Sequence, residues 1–116
     1  MSYVTRMLKL AARASRVRKD ERQFCLCAVA ERNDGTTVMA VNLPVADGPR
    51  PYAHAEARLS RKLDRGATVF VARTTATGAW ANARCCEDCE RALRNAYVKR
   101  VYYTVGPGEY GVLRLK

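Results

Sequence analysis

The stretch Ala67-Thr68-Val69-Phe70-Val71-Ala72 decides the fold, because it is a short run of apolar and β-prone residues without polar alternation. A run of this length and composition is suited to a strand that is buried on both of its faces. Such a strand needs a covering layer on each side of its sheet. The run therefore predicts a central sheet flanked by helices.

Helical sequence patterns precede and follow this predicted strand along the chain. Residues 53–63 follow a helical pattern, and Asp64-Arg65-Gly66 supplies the signal that ends it. Residues 86–96 are predicted to be a second helix. Its packed face is formed by Cys89, Ala92, Leu93 and Ala96, which recur at helical spacing.

The segment before the central strand starts with a helix and a hairpin. Apolar residues recur at helical spacing from Val4 to Ala11, which predicts an amphipathic helix over residues 3–17. Residues 24–30 and 36–41 are predicted strands, and the Asp34-Gly35 pair between them is a strong hairpin signal. Residues 42–52 hold three prolines and are predicted to be a loop.

The end of the chain carries two more predicted strands, at residues 98–105 and 110–115. Only Gly106-Pro107-Gly108-Glu109 separates them, whereas a parallel crossover needs roughly a dozen residues or more. These strands should therefore form an antiparallel hairpin. Residues 74–84 are predicted to be a polar loop. The predicted order is αββαβαββ, an α/β fold with three αβα layers and a central mixed sheet of about five strands, in a single domain spanning residues 1–116.

The composition indicates the compartment and the kind of ligand. Lys and Arg exceed Asp and Glu by 21 − 11 = 10, and the pI is near 9.8, which suits anionic partners. Five cysteines without the spacing of a disulfide framework indicate a reducing, cytoplasmic compartment. The sequence shows no membrane span and no signal-peptide core. Residues 1–19 also resemble a mitochondrial presequence, a reading that ranks second to a helix of the domain.

Two short motifs carry the chemistry. His54-Ala55-Glu56 and Cys86-Glu87-Asp88-Cys89 together offer one imidazole, two thiolates and a carboxylate. Three protein ligands with a fourth position left for water are typical of a catalytic zinc site. A Cys-x-x-Cys at a helix start can turn both thiolates to one ion, and the positive helix end favours their ionised form. The motifs predict Zn²⁺ bound by His54, Cys86 and Cys89.

The order of these motifs resembles a known family. A His-x-Glu followed at a distance by Cys-x-x-Cys is similar to the signature of zinc nucleobase deaminases, and the resemblance spans nearly the whole chain. The chain thus resembles the cytidine/deoxycytidylate deaminase superfamily, which includes tRNA adenosine deaminases and polynucleotide cytosine deaminases. The resemblance implies a cytidine-deaminase-like fold, a hydrolase that replaces an exocyclic amine by oxygen, and Glu56 as the residue that carries the proton.

The resemblance also implies substrate contacts. The side chain of Asn42 is expected at the sugar, the backbone of Ala55 at the base, and the carbonyl of Arg84 or Cys85 at the exocyclic amine. Trp80 and Tyr103 lie in or beside the loops expected around the pocket, where a ring could stack on a base or serve ordinary packing. One position departs from the family, because Cys85 stands where a proline usually precedes the first ligand cysteine.

Three functions remain open on the sequence. The first is conversion of cytosine to uracil in a free nucleoside or nucleotide, a role in nucleotide metabolism. The second is deamination of cytosine in single-stranded DNA or RNA, which the net charge and basic first helix favour. The third is a catalytically silent, zinc-stabilised nucleic-acid-binding module, with Cys25, Cys27 or Cys85 as fourth ligand. The resemblance also implies homo-oligomers.

Overall fold

The computed structural model describes residues 2–15, 25–41, 59–75, 77–85 and 87–115, which form one mixed sheet packed against helices. The sheet has the order β2-β1-β3-β5-β6, and β4 pairs with β3 outside this path. The helices are α1 (Tyr3–Ser15) and α2 (Glu87–Asn95), and Leu59 and Ser60 are also helical. The strands are β1 (Cys25–Glu31), β2 (Thr37–Val41), β3 (Thr68–Thr74), β4 (Trp80–Ala81), β5 (Arg100–Gly106) and β6 (Glu109–Arg114).

The topology confirms the predicted α/β class. β3 pairs in parallel with β5 and in antiparallel with β1, while β5 and β6 form the antiparallel hairpin that the short connection required. One prediction was wrong in detail, because residues 74–84 are not entirely loop. The two residues of β4 pair with Arg73 and Thr74, so the sheet has six strands. The helix predicted over residues 53–63 lies mostly outside the described residues.

The sheet buries a different cluster on each face. We call the side covered by α1 the α1 face; its cluster consists of Met7, Leu8, Ala11, Ala12, Cys27, Val29, Phe70 and Ala72. We call the opposite side the α2 face; its cluster includes Ala28, Ala30, Leu59, Val69, Val71, Leu93 and Val101. Neighbouring residues of β1 and β3 thus alternate between the faces, as the pleat of a strand requires.

The central strand β3 is buried on both faces, as its composition predicted. Val69 and Val71 pack on the α2 face, and Phe70 and Ala72 pack on the α1 face. All four are at most 1% exposed. Burial of a Val or Phe side chain is worth about 1.5–3 kcal/mol, so this strand contributes much of the hydrophobic stabilisation.

The hairpin between β1 and β2 turns at the predicted Asp34-Gly35 pair. Gly35 has φ 90°, a left-handed conformation that glycine adopts without steric cost. The carboxylate of Asp34 accepts hydrogen bonds from the backbone N–H and the hydroxyl of Thr36, which hold the pKa of that carboxyl below its usual value. The turn is also tied to the segment before β3, because Asp64 accepts the N–H groups of Asn33 and Asp34.

The end of α2 explains why β5 begins later than predicted. Tyr97 has φ 60°, and the N–H of Val98 donates to the carbonyl oxygen of Leu93, which closes the last turn. Val98 is consequently part of the helix end and not of the strand, which starts at Arg100. In the part of the chain that the structure describes, no helix has the length and apolar character needed to span a membrane.

Candidate active site

The candidate site is built where the chain leaves β3 and enters α2. After Thr74, a tight turn is closed by hydrogen bonds from the Thr75 N–H to the Ala79 carbonyl and from the Gly78 N–H to the Thr75 carbonyl. The chain returns along β4 and reaches α2, which begins at Glu87, directly after Cys86. Cys89, the second cysteine of the Cys-x-x-Cys motif, lies in the first turn of α2.

Two polar residues that the sequence analysis did not select hold the approach to this helix. Thr104 is fully buried, and its hydroxyl donates to the carbonyl of Ala81 at 2.7 Å and accepts the N–H of Arg73 at 3.1 Å. The Thr104 carbonyl accepts the N–H of Ala83 at 2.9 Å. Because Thr104 lies within a β-branched and aromatic strand, its sequence context offers no signal for this role.

Asn82 orients the segment next to the motif. Its side-chain oxygen accepts the N–H of Arg84 at 2.9 Å, an interaction between residues two apart that is typical of turns. The Arg84 side chain is exposed. The carbonyl of Arg84 or Cys85 was predicted to meet the substrate amine, and the structure holds the chain directly before Cys85 through the Arg84 N–H bond to Asn82 and the Ala83 N–H bond to Thr104.

The cysteines near the motif occupy different surroundings. Cys89 is fully buried in the first turn of α2, four residues before Leu93 and so on the same side of the helix. Leu93 belongs to the α2-face cluster, and Cys85 is half-buried against that cluster. Cys85 and Cys89 are thus both brought to the α2 face.

Cys27 lies on the other side of the sheet. It is fully buried in the α1-face cluster, and burial raises the pKa of its thiol to about 11. Its sulfur lies 3.9 Å from the Ala28 carbonyl oxygen. Cys27 is therefore a small buried residue of the α1-face cluster, and the sheet separates it from Cys85. The side chain of Cys25 lies outside the described part of the structure.

The two aromatic residues that were assigned to the pocket lie on opposite faces. Trp80 packs against the α1-face cluster, together with Tyr102. Tyr103 packs against the α2-face cluster, and its ring crosses so close to Gly111 that an added Cβ there would stand 2.7 Å from it. Tyr103 shares a face with Cys85, whereas Trp80 does not.

The remaining predicted site residues, His54, Ala55, Glu56, Asn42 and Cys86, lie outside the described residues. Within the described ranges, no group of three potential metal ligands is present. The fit of the predicted ligand set to zinc can be judged from Cys89 and from α2, which carries it. A thiolate donor at the start of a helix suits zinc, and with Cys86 and His54 the donors are the sulfur and nitrogen atoms that this ion prefers.

Comparison with solved structures identifies the fold. The chain is similar to the cytidine deaminase from Mycobacterium leprae, with a TM-score of 0.62, 16% sequence identity, and coverage of 99% of this chain and 95% of that one. The cytidine deaminase from Mycobacterium tuberculosis gives a TM-score of 0.58 at 18% identity and covers 96% of this chain and 89% of that one. Neither a scan against models of protein families nor a search of curated proteins gives a match.

The class of fold follows from this similarity. The sheet order, the helix that carries Cys89 and the likeness along nearly the full chain define a cytidine deaminase fold. The chain has the fold that the sequence resemblance implied. The chemistry of the site is a separate question, because one fold can carry many functions.

Proposed function

We propose that the protein is a zinc-dependent hydrolytic deaminase that converts cytosine to uracil in a free nucleoside or nucleotide. The observation that carries this proposal is the position of Cys89, the second cysteine of the Cys-x-x-Cys motif, in the first turn of α2 within a cytidine deaminase fold. The buried Cys89 supports a ligand role, because its sulfur faces the protein interior instead of solvent.

The zinc ligands in this proposal are His54, Cys86 and Cys89. Zinc held by these residues would lower the pKa of its bound water to about 7, so that hydroxide would be available near neutral pH. The protein holds the ligands on two segments, the predicted helix over residues 53–63 and α2. The Thr104 and Asn82 contacts support this arrangement by fixing the chain that enters α2.

Glu56 is proposed to move the proton. It accepts a proton from the attacking water and delivers it to the ring nitrogen, while the new C–O bond forms at C4 of cytosine. Glu56 then takes the proton of the new C4 hydroxyl and delivers it to the amine, so that the C4–N bond breaks as the C4 carbonyl forms. Cytosine and water give uracil and ammonia, and Glu56 returns to its starting state.

The substrate contacts are proposed for residues around this reaction. Asn42 binds the sugar, the Ala55 backbone contacts the base, and the carbonyl of Arg84 or Cys85 receives the exocyclic amine. Tyr103 is a candidate stacking residue, supported by its place on the α2 face. The packing of Trp80 against the α1-face cluster supports a structural role for that ring instead.

The proposal is tested by incubating the zinc-loaded protein with cytidine, deoxycytidine, deoxycytidylate, single-stranded DNA, RNA and adenosine, and following base conversion by mass spectrometry. Glu56→Ala should retain zinc and lose turnover by roughly 10²–10⁴-fold, the usual contribution of general acid–base catalysis. Glu109→Ala, which alters an exposed carboxylate in the β5–β6 hairpin, serves as the matched control. Absence of conversion with every substrate would leave the silent zinc module as the better description.

The second candidate is a polynucleotide cytosine deaminase. It is favoured by the net charge of +10 and by Arg6, Lys9 and Arg13, which are all exposed on α1. Phosphate contacts by such residues release counterions, so activity on a polymer falls steeply as salt is added. Conversion that is confined to DNA or RNA and shows this salt dependence would favour the second candidate over the first.

A further inference from the structure

A cavity lies at the end of the sheet away from the candidate active site. The approach to α2 starts where β3 ends, at Thr74, whereas this cavity opens where β3 and β5 begin, beside Thr68 and Arg100. Its volume is about 320 Å³. This is within the range of pockets that take small molecules, roughly 300–1,000 Å³.

The charges around the cavity suit an anion. Three cationic side chains line it, Arg32, Lys99 and Arg100, whereas the carboxylates are those of Glu31 in the lining and of Asp34 beside Arg32. Tyr3 and Val4 bring the first turn of α1 to the same cavity, and that turn contains no acidic residue. The N-terminal end of a helix carries a partial positive charge, which adds to the cationic side chains.

Arg32 supplies an independent sign of a missing partner. Its Nε atom is buried and has no hydrogen-bond partner among the described residues. The carboxylate of Asp34 pairs with a different atom of the same guanidinium, because its Oδ2 stands 4.0 Å from Nη2. A buried donor without an acceptor is costly, and a guanidinium binds the oxygens of a phosphate group in a fork.

The cavity also has an aromatic wall. Phe70 stacks on Tyr102 with ring centroids 5.5 Å apart, and Tyr3 meets Phe70 edge-on at 5.8 Å. The guanidinium of Arg100 donates from Nη1 to the hydroxyl of Tyr102 at 3.2 Å, which fixes both groups. Tyr3 remains 46% exposed, so its ring is accessible to a planar group.

We infer that this cavity binds the phosphate group of a nucleotide, with Arg32, Lys99 and Arg100 contacting the phosphate and Tyr3 contacting the base. The nucleotide is either free or part of a single strand, since both present the same chemistry. The inference does not depend on the proposed deaminase, because no residue of the cavity belongs to the candidate active site.

The site is tested by amide NMR titration of the zinc-loaded protein with inorganic phosphate, adenosine monophosphate, adenosine and a single-stranded oligoadenylate at constant ionic strength. The expected result is saturable shifts confined to residues 3–4, 31–35, 66–70 and 99–102, with adenosine monophosphate binding more tightly than phosphate. Strongest binding of the oligoadenylate identifies a strand as the source of the phosphate, and strongest binding of the monophosphate identifies a free nucleotide. Shifts that spread over the basic surface without saturation, or equal affinity for adenosine, would overturn the inference.

Variants separate this site from general attraction to a basic protein. Arg32→Gln should weaken adenosine monophosphate binding by about tenfold or more, as expected for loss of a hydrogen bond to a charged group. Arg13→Gln removes the same charge from an exposed position of α1 outside the cavity and should change the affinity by less than about twofold. Arg100→Gln is a second cavity variant, should Arg32→Gln fail to fold. Equal losses in the cavity variants and in Arg13→Gln would contradict a defined site.

Discussion

The two faces of the sheet differ in how completely they are covered. On the α2 face, Leu113 and Leu115 of the last segment pack into the cluster. On the opposite face, α1 lies over β1 and β3 and reaches β5 far less, and Tyr110 and Val112 of β6 are 42% and 43% exposed. The same strand thus serves as core on one side and as surface on the other.

This difference separates two kinds of site. The candidate deaminase residues that the structure describes lie mainly with the closed α2 face, where Cys89 is fully buried. The cationic cavity lies beside the start of α1, next to the part of the sheet that α1 leaves open. Chemistry that requires exclusion of water suits the covered face, and recognition of a charged ligand suits the open one.

The largest expected effect compares one leucine on each face. Leu8→Ala and Leu93→Ala both remove fully buried side chains, so each should lower the free energy of unfolding by about 2–5 kcal/mol. Leu93 lies one turn after Cys89 on α2, so Leu93→Ala should also reduce the zinc content of the folded protein. Urea unfolding and metal analysis would check this. Equal zinc content in the two variants would break the assignment of the metal to the α2 face.

A smaller effect concerns the thiol of Cys27 on the α1 face. Burial raises its pKa to about 11 from 9.0, so the folded state favours the neutral thiol. The contribution of this neutral thiol to the free energy of unfolding is fully present below pH 9. It is lost as the pH rises through 11, so that the free energy of unfolding is lower by about 2–3 kcal/mol at pH 11. The difference in unfolding free energy between the wild type and Cys27→Ala should follow this decrease. Parallel pH profiles of the two proteins would contradict it.

The smallest expected effect concerns the hydrogen bonds that connect the segment before β3 to the turn of the β1–β2 hairpin. Asp64 follows the half-buried Leu63 and accepts the N–H groups of Asn33 and Asp34. Asp64→Ala should lower the free energy of unfolding by about 1 kcal/mol and speed hydrogen exchange at the amides of Asn33 and Asp34. Asp64→Asn keeps one acceptor oxygen and should show a smaller change. Unaltered exchange at both amides in Asp64→Ala would show that the carboxylate does not secure the turn.

Much of the fold was predictable because its signals are local. The apolar run of β3, the Asp34-Gly35 turn and the short connection before β6 each specify their own geometry. The strand β4 was missed because its two residues, Trp80 and Ala81, carry no periodicity. Their strand conformation depends on pairing with Arg73 and Thr74, and on the Thr104 hydroxyl that binds the Ala81 carbonyl.

Only the part of the candidate site that belongs to one local sequence motif was predictable. The helix start at Cys86-Glu87 followed from the Cys-x-x-Cys spacing and the apolar face behind it. The opposite placement of Trp80 and Tyr103 could not follow from sequence, because a ring in a loop has no strand pleat to assign its face. The cationic cavity was missed for a related reason, since Arg32, Lys99 and Arg100 meet only after β1 and β5 have been placed around β3.

The central position of β3 has a consequence for the order in which the chain folds. The outer pairs β1–β2 and β5–β6 are hairpins between sequence neighbours, whereas β3 pairs with strands from distant parts of the chain. Closing the long loops that bring Cys25 beside Thr74 costs entropy before any contact repays it. We therefore expect the two hairpins to form early and the docking of β3 between them to limit the folding rate.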